Sequence, residues 1–398
     1  MPSLANHTPL LREQAYWGGV FAMTLCVFAL VASEFMPVSL LTPISKELGV
    51  SGGLVGQGIA ISGLFAVMTS LSISTLAGAL NRKILLLGMT VLMAFSGAVI
   101  ALAPSYLIYM AGRALIGIAI GGFWSLSAAT AIRLVPPQRV PRALAIFNGG
   151  NALATVIAAP LGSYLGSVIG WRGAFFCLVP VAVMAFIWQW LSLPPMRTDK
   201  NDKPTGTVFR LFSNPLVAVG LTACGLFFMG QFSLFTYLRP FLETVTQVDI
   251  TTLSLILLTL GVAGFVGTLA IGVFLKSAFY PTLIVIPFLM AAIAGALIAF
   301  GHSLWIVAPL LALWGVIATA APTGWWTWIA KTVPEDAEAG GGLMVAIVQL
   351  SIALGSTLGG LTFDHIGYQG TFTLSAILLV IAAALALLTS RRDIHQTH

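Results

Sequence analysis

The chain has 398 residues, of which 58% are hydrophobic and only 8% carry a charge, against about 25% charged in ordinary soluble domains. Its 18 basic and 12 acidic residues give a formal charge of +6, but they gather in short segments and leave charge-free stretches such as 48–81, 84–112 and 277–330. A soluble fold is excluded, and with it soluble enzymes and nucleic-acid binders, because the last of these stretches is long enough for two bilayer crossings of about 20 apolar residues each.

Breaking the apolar runs at proline, glycine and charge clusters predicts twelve helices. The first six are Trp17 to Ile44, Leu54 to Ala79, Ile84 to Ala103, Tyr106 to Leu134, Arg142 to Ile169 and Phe175 to Leu193. The second six are Leu216 to Phe241, Ile250 to Leu275, Thr282 to Phe300, Trp305 to Ala330, Gly340 to Phe363 and Thr371 to Ser390. The runs are continuous instead of alternating every second residue, which excludes a membrane β-barrel. Met1 to Arg12 lacks the basic, apolar, small-residue cleavage pattern of a signal peptide, so the first stretch is expected to be a retained helix. Pro194 to Pro215 is the one sustained polar stretch of the interior and reads as a linker. The fold class is an all-α polytopic membrane protein: residues 1–193 as one six-helix half, 194–215 as a cytoplasmic linker, and 216–398 as a second six-helix half with a short cytoplasmic tail.

With the amino terminus inside, fourteen basic residues fall in cytoplasmic segments and three, Lys46, Arg172 and Arg239, in outer ones, while Arg113 lies within the fourth span. The positive-inside rule therefore places both termini in the cytoplasm, with an even number of crossings. The basic charge marks topology and not an anionic partner. Cys26, Cys177 and Cys224 all lie inside apolar runs, where a thiol behaves as a small hydrophobe, and imply no disulfide framework.

Small residues recur at Gly117/Gly121, Gly162/Gly166/Gly170 and Gly355/Gly359, the spacing that lets membrane helices approach closely. In Ala158-Ala159-Pro160-Leu161-Gly162 a proline removes an intrahelical hydrogen bond and bends the fifth span. A bend lined by small residues suits a surface that rocks.

Two charges lie deep in predicted spans, Glu34 in the first and Arg113 in the fourth. An ionised side chain at the bilayer centre costs roughly 2.5 to 3.5 kcal/mol on insertion scales, so such residues face a protein interior or an aqueous path. By helical rise, Glu34 sits about 5 Å and Arg113 about 10 Å outward of centre, a difference that a long arginine can span. Two readings stand for Glu34: a proton-binding carboxylate tuned by desolvation and a nearby cation, or a structural group, either a fixed ion pair or a carboxylate that faces the headgroups from a differently placed helix end. For Arg113 the choice is between that pair and bonding to helix carbonyls.

Embedded uncharged groups are Trp124, Asn148, Asn151, Gln231, Tyr237, Trp326 and Gln349, with Trp325 and Trp328 beside them. Amides offer paired donors and acceptors to a polar organic solute, and indole or phenol can stack on a flat ring. Interhelical bonding competes for each amide, and an interfacial aromatic belt competes for the tryptophans at 325–328. A polytopic enzyme lacks its nucleophile, base or metal ligands here, since the histidines sit in tails or near outer turns and no metal-ligand spacing occurs. A channel would want charged rings or a filter loop, and no Gly-rich Lys-Ser or Lys-Thr phosphate loop appears. Transport is the reading that remains.

Several strings resemble the major facilitator superfamily, and within it the drug:proton antiporter-like efflux branch. Gly78-Ala79-Leu80-Asn81-Arg82-Lys83 is similar to the loop signature after the second span, with Asn81 in place of its usual Asp. Gly112-Arg113-Ala114-Leu115-Ile116-Gly117 resembles the fourth-helix motif with its functional arginine. Ala159-Pro160-Leu161-Gly162 resembles the antiporter motif of the fifth helix, with Ala159 replacing a usual Gly. Closer likeness, to bacterial purine-ribonucleoside and sugar efflux pumps, rests on 34–41, Gly121-Gly122-Phe123-Trp124, 133–137, Gly230-Gln231-Phe232 and 236–240.

The resemblance implies two pseudo-symmetric six-helix bundles around a central cavity, alternating access, and export driven by inward proton movement. It strengthens Glu34, with Arg113, as the expected proton-coupling residues, while Trp124, Asn148, Asn151, Gln231, Tyr237, Trp326 and Gln349 are the candidate substrate contacts by their own chemistry. The expected partners are a small-molecule solute, protons and the lipid bilayer of a bacterial inner membrane. A monomer is expected, with no cofactor, no metal, no nucleic acid and no enzymatic activity.

Overall fold

The computed structural model describes residues 15–77, 80–196, 208–333 and 337–396. Among them the elements are helical: α1 (Trp17–Leu48), α2 (Gly52–Ala77), α3 (Arg82–Ala101), α4 (Tyr106–Arg133), α5 (Val140–Val168), α6 (Gly170–Phe176) and α7 (Leu178–Ser192) in the first part of the chain. The second part holds α8 (Pro215–Phe235), α9 (Leu238–Thr244), α10 (Ile250–Ser277), α11 (Phe279–Phe300), α12 (Leu304–Thr332), α13 (Ala337–Ile366) and α14 (Tyr368–Gln396). Counted by length and hydropathy they make 12 membrane spans, with α6 and α7 sharing the sixth and α8 and α9 the seventh.

The spans agree with the apolar runs, but their ends do not stop where the charges start. α1 runs through Lys46 and Glu47, and α14 begins at Tyr368 and continues through Arg391 and Arg392. A helix that has left the hydrocarbon keeps its backbone bonds while its charged side chains reach water. The sixth span begins at Gly170, five residues before the predicted start, because Gly170 adopts a φ of 75° that turns the chain directly from α5 into α6. The seventh span is broken at Thr236-Tyr237 instead of continuing to Phe241. Half of the expected linker, residues 197–207, and Gly78 and Ala79 of the loop motif lie outside the described residues.

Both termini of the bundle share one end, here the near end. Tyr16 N donates to the Leu134 carbonyl at the close of α4 (2.8 Å), and Arg392 Nη1 donates to the Pro215 carbonyl at the start of α8 (3.1 Å). The loop motif works there as a double cap. Asn81 Oδ1 accepts from the backbone N–H of Lys83 (3.0 Å) and of Met196 (2.9 Å), and Lys83 Nζ donates to the carbonyls of Trp190 (2.7 Å) and Leu193 (2.6 Å). Free donors of α3 and free acceptors of α7 are thereby satisfied at one corner. At the far end Asp249 caps α10 by accepting from Thr251 N (3.2 Å), and a bond from the Thr252 side chain holds its carboxyl below the usual carboxylate range.

Apolar packing gathers in three clusters, one of them joining Met36, Leu40, Tyr109, Trp171 and Phe175 of the first set to Tyr237 of the second. Of the remaining two, one is drawn from residues between Val20 and Met196, and the other from residues between Val217 and Ala386 with Val38, Ile59 and Ala159 added from the first set. Glycine permits the close approach in both. A Cβ at Gly117 or Gly121 would lie 2.2 Å from the carbonyl oxygen of Ser62 or Ala66, and one at Gly355 or Gly359 2.4 or 2.7 Å from that of Met229 or Ser233. The Gly-x-x-x-Gly pairs are therefore the contact lines of α4 on α2 and of α13 on α8.

Candidate functional site at the seam of the two sets

α1 carries two prolines, Pro37 and Pro43, and each deprives the carbonyl four residues earlier of its helical donor. Those carbonyls belong to Ser33 and Ser39. In hydrocarbon each must find a partner inside the protein, and an arginine serves each of them. Arg113 of α4, fully buried, donates Nη1 to Ser33 O (2.8 Å), Nη2 to Glu34 O (3.3 Å) and to Ser62 Oγ (3.0 Å), and Nε to Gly58 O (3.0 Å). It ties α4 to α1 and α2 within the first set. Arg239 of α9 donates Nη1 to Ser39 O, while its Nε bonds Glu243 Oε1 at 2.7 Å. It reaches across from the second set.

The hydrogen bonds of Arg113 go to the helices of its own set. Its N–H groups are engaged by carbonyls and a hydroxyl, so it fixes the backbone at Glu34. The Glu34 carboxylate meets the second set, where Gln349 Nε2 of α13 donates to Oε1 at 3.2 Å. Glu34 is 5% exposed and Gln349 8%. Two amide oxygens of the second set, Oε1 of Gln349 and Oε1 of Gln231, are buried without a hydrogen-bond partner. Beside the acid, Phe35 stacks on Phe232 with ring centroids 5.7 Å apart. An acid and an amide, with two stacked rings beside them, thus meet where the sets touch.

From this point to the far end the seam is closed. Thr357 Oγ1 donates to Gln57 Oε1 (3.1 Å), Ser254 Oγ to Ser163 Oγ (3.0 Å), and Gly53 N to Asp364 Oδ1 (2.9 Å), with Ser51 Oγ on the other carboxylate oxygen. Asp364 therefore caps the first turn of α2 from the opposite set. Tyr237 is buried, its hydroxyl donating to Ser356 O (2.7 Å) and its ring edge against Gly56. A Cβ at Gly261 of α10 would meet Val156 O at 2.8 Å, the carbonyl that Pro160 leaves without a helical donor. The expected rocking surface of α5 is thus a contact with α10.

Toward the near end the polar and aromatic candidates are more exposed. Asn148 lies two turns before Thr155 on one face of α5; at Thr155 and Val156 that helix is covered by α10, whereas Asn148 is exposed and Asn151 half-buried. Trp326 is 42% exposed and reaches toward Gly341 of α13. Trp124 is half-buried, edge-on to Phe147 with centroids 5.9 Å apart. Trp325 and Trp328 are buried against each other and form no interfacial belt. Of the sequence candidates, Glu34 and Gln349 are in contact, Gln231 precedes Phe232 on α8 with its amide oxygen buried and unpartnered, and Tyr237 is sealed in the far-end closure. Sequence reasoning missed Arg239, Asp364, Gln57 and Thr357. For Arg239 a signal existed: Pro43 announces a free carbonyl at Ser39.

A family model described as Major Facilitator Superfamily matches residues 23–345. The chain is 63% identical over 390 residues to a Pseudomonas aeruginosa protein named transcription regulatory protein OpdE, covering 97% of this chain and 96% of the other. It is 37% identical over 367 residues to the purine ribonucleoside efflux pump NepI of Salmonella enteritidis, covering 92% of each. The structure of a bacterial homologue of the human lysosomal transporter Spinster, inward-facing and unoccupied, superposes with a TM-score of 0.73 over 94% of this chain and 97% of that one at 17% identity, a likeness of fold. Homologues and fold alike are those of transporters and not of enzymes. With twelve apolar spans among the described residues, a first helix that carries two prolines and is pinned by arginines, and a family model over most of its length, the chain belongs to the major facilitator superfamily.

Proposed function

We propose that this transporter is a proton-coupled exporter of purine ribonucleosides or similar small polar metabolites, working by alternating access as a monomer in a bacterial inner membrane. The excess of basic residues in the near-end segments supports cytoplasmic termini, so the conformation closed at the far end is the one open to the cytoplasm. The observation that carries the reading is the Glu34 carboxylate, buried at the seam and bonded across it by Gln349. An acid in that position changes its interactions whenever the sets separate, which is the differential affinity that coupling requires. A proton crossing 100 mV supplies about 2.3 kcal/mol, enough for a roughly fiftyfold solute gradient per charge.

Asn148, Asn151, Trp124, Gln231 and Trp326 are the proposed solute contacts, with the orphaned Gln231 oxygen suited to an N–H or O–H donor on the solute. Tyr237 joins them when the far end opens. The nucleoside class comes from the 37% identical efflux pump. The regulatory name of the 63% identical relative fits an exporter equally well, because lowering the internal level of an inducing solute changes transcription without contact with DNA. Protons serve as the coupling ion, and no other cofactor is invoked.

Purified protein in liposomes with an imposed pH gradient is expected to drive labelled inosine, and Glu34→Gln to abolish driven movement while retaining exchange of labelled for unlabelled inosine. Equal gradient-driven flux in Glu34→Gln would overturn the coupling role. Movement of sugars or lipophilic cations without inosine would overturn the substrate class.

A further inference from the structure

We infer that Gln349 couples proton binding at Glu34 to closure of the far end. The inference rests on the reading of Glu34 as the proton site. In the structure the amide gives one bond to the acid, from Nε2 to Oε1, and its own Oε1 is buried with no donor. A carboxylate has no hydrogen to offer that oxygen. A carboxylic acid has one. On protonation, the acid O–H of Glu34 can donate to Gln349 Oε1 while the other Glu34 oxygen keeps accepting from Nε2, giving the reciprocal ring of two bonds that an acid and a primary amide form. The proton is the only species added, and no covalent bond is made or broken between the two side chains.

The pair spans the seam. Glu34 belongs to α1 of the first set and Gln349 to α13 of the second, so the second bond exists only while the sets are in contact. A buried acceptor that gains its donor changes a state's free energy enough to move a two-state ratio on the order of tenfold. Protonation therefore favours the closed far end, and loss of the proton loosens it. That is the order an exporter needs: a proton taken from outside closes the outer gate, its release inside frees the site, and solute then carries the ionised protein back. The charged groups about Glu34 do not duplicate this part. Arg113 of α4, with Tyr109 beside it, holds the α1 backbone within the same set, and Arg239 of α9 acts further along at Ser39. The α2 partners of Arg113 are Gly58 and Ser62, and Phe232 of α8 stacks on Phe35 next to the acid; none of these titrates.

The test uses full-length protein in nanodiscs without solute. Spin labels are placed at Leu54→Cys and Leu361→Cys, both exposed on the far-end turns of α2 and α13, in a Cys177→Ser background that leaves only the buried Cys26 and Cys224. Label separation is measured by pulsed electron resonance from pH 8 to pH 5. The expected result is a closed fraction that rises with acid in the parent. It should be high at every pH in Glu34→Gln, whose amide pairs with Gln349 as the acid does. It should lose on the order of tenfold of its pH response in Gln349→Met, which keeps the length of the side chain and removes both bonds. A parent-like pH profile in Gln349→Met, with the response still abolished by Glu34→Gln, would overturn the role of Gln349 alone. A parent-like profile in Glu34→Gln would overturn the proton site on which it rests.

Discussion

Arg239→Met removes the donor that crosses the seam to the Ser39 carbonyl. While the far end is closed that carbonyl is buried and lacks its helical partner because of Pro43; once the far end opens, water can serve it. The loss therefore weighs on the closed state. A hydrogen bond from a charged donor contributes about 1.5 to 3 kcal/mol net, so the closed-to-open ratio should fall by about tenfold to about 150-fold. Pro43→Ala supplies the discriminating background, since alanine at that position restores an N–H that bonds Ser39 O within the helix. In that background the carbonyl no longer depends on Arg239, and the effect of Arg239→Met should shrink by about 1 kcal/mol or more, a coupling well within reach of a double-mutant cycle. The assay is the far-end label separation at fixed pH for the four proteins of the cycle. Equal effects of Arg239→Met with and without Pro43 would refute the reasoning, because the arginine would then act elsewhere than on the freed carbonyl.

Other consequences follow from the same contacts. Arg113→Met leaves the Ser33 carbonyl without a donor inside the first set and should lower stability by about 2 to 4 kcal/mol, part of the lost bonding being offset by removing a buried charge; thermal unfolding in detergent measures it, and an unchanged midpoint would contradict the role. Gly117→Val places side-chain atoms where even a Cβ lies 2.2 Å from Ser62 O, and should cost about 3 kcal/mol or prevent folding, seen as loss of monodisperse protein on size exclusion. Asp364→Ala removes the cap that α13 gives to the first turn of α2 and should shift the far end toward open by about fivefold, the effect of a cap of about 1 kcal/mol; labels reporting an unchanged ratio would contradict it.

Fold and family were legible because twelve apolar runs and the motif at 112–117 are local features of the chain. Glu34 and Arg113 were legible because a charge in an apolar run always demands a partner. What that partner would be was not, since Gln349 is 315 residues from Glu34 and nothing in either neighbourhood points to the other. Arg239 read only as a topological charge, although Pro43 states in the sequence that Ser39 lacks a donor. Tyr237 was chosen for its ring, but burial depends on the conformation: here the ring fills the space left by Gly56. The tryptophans at 325–328 could not be sorted by sequence into buried and exposed, because three side chains within one helical turn face different neighbours. Helix ends were misplaced wherever charge was taken as a stop, as at Lys46, since an interfacial charge ends the apolar run and not the helix.

Proton release on solute binding tests the role of Glu34 most directly. Inosine is added to weakly buffered, detergent-solubilised protein with a pH-sensitive dye, at a pH where the far end is mostly closed, and binding is followed in parallel by calorimetry. The expected result is release approaching one proton per protein for the parent and none for Glu34→Gln, with inosine still bound by both. Inosine binding by the parent without release, or equal release from Glu34→Gln, would contradict the account.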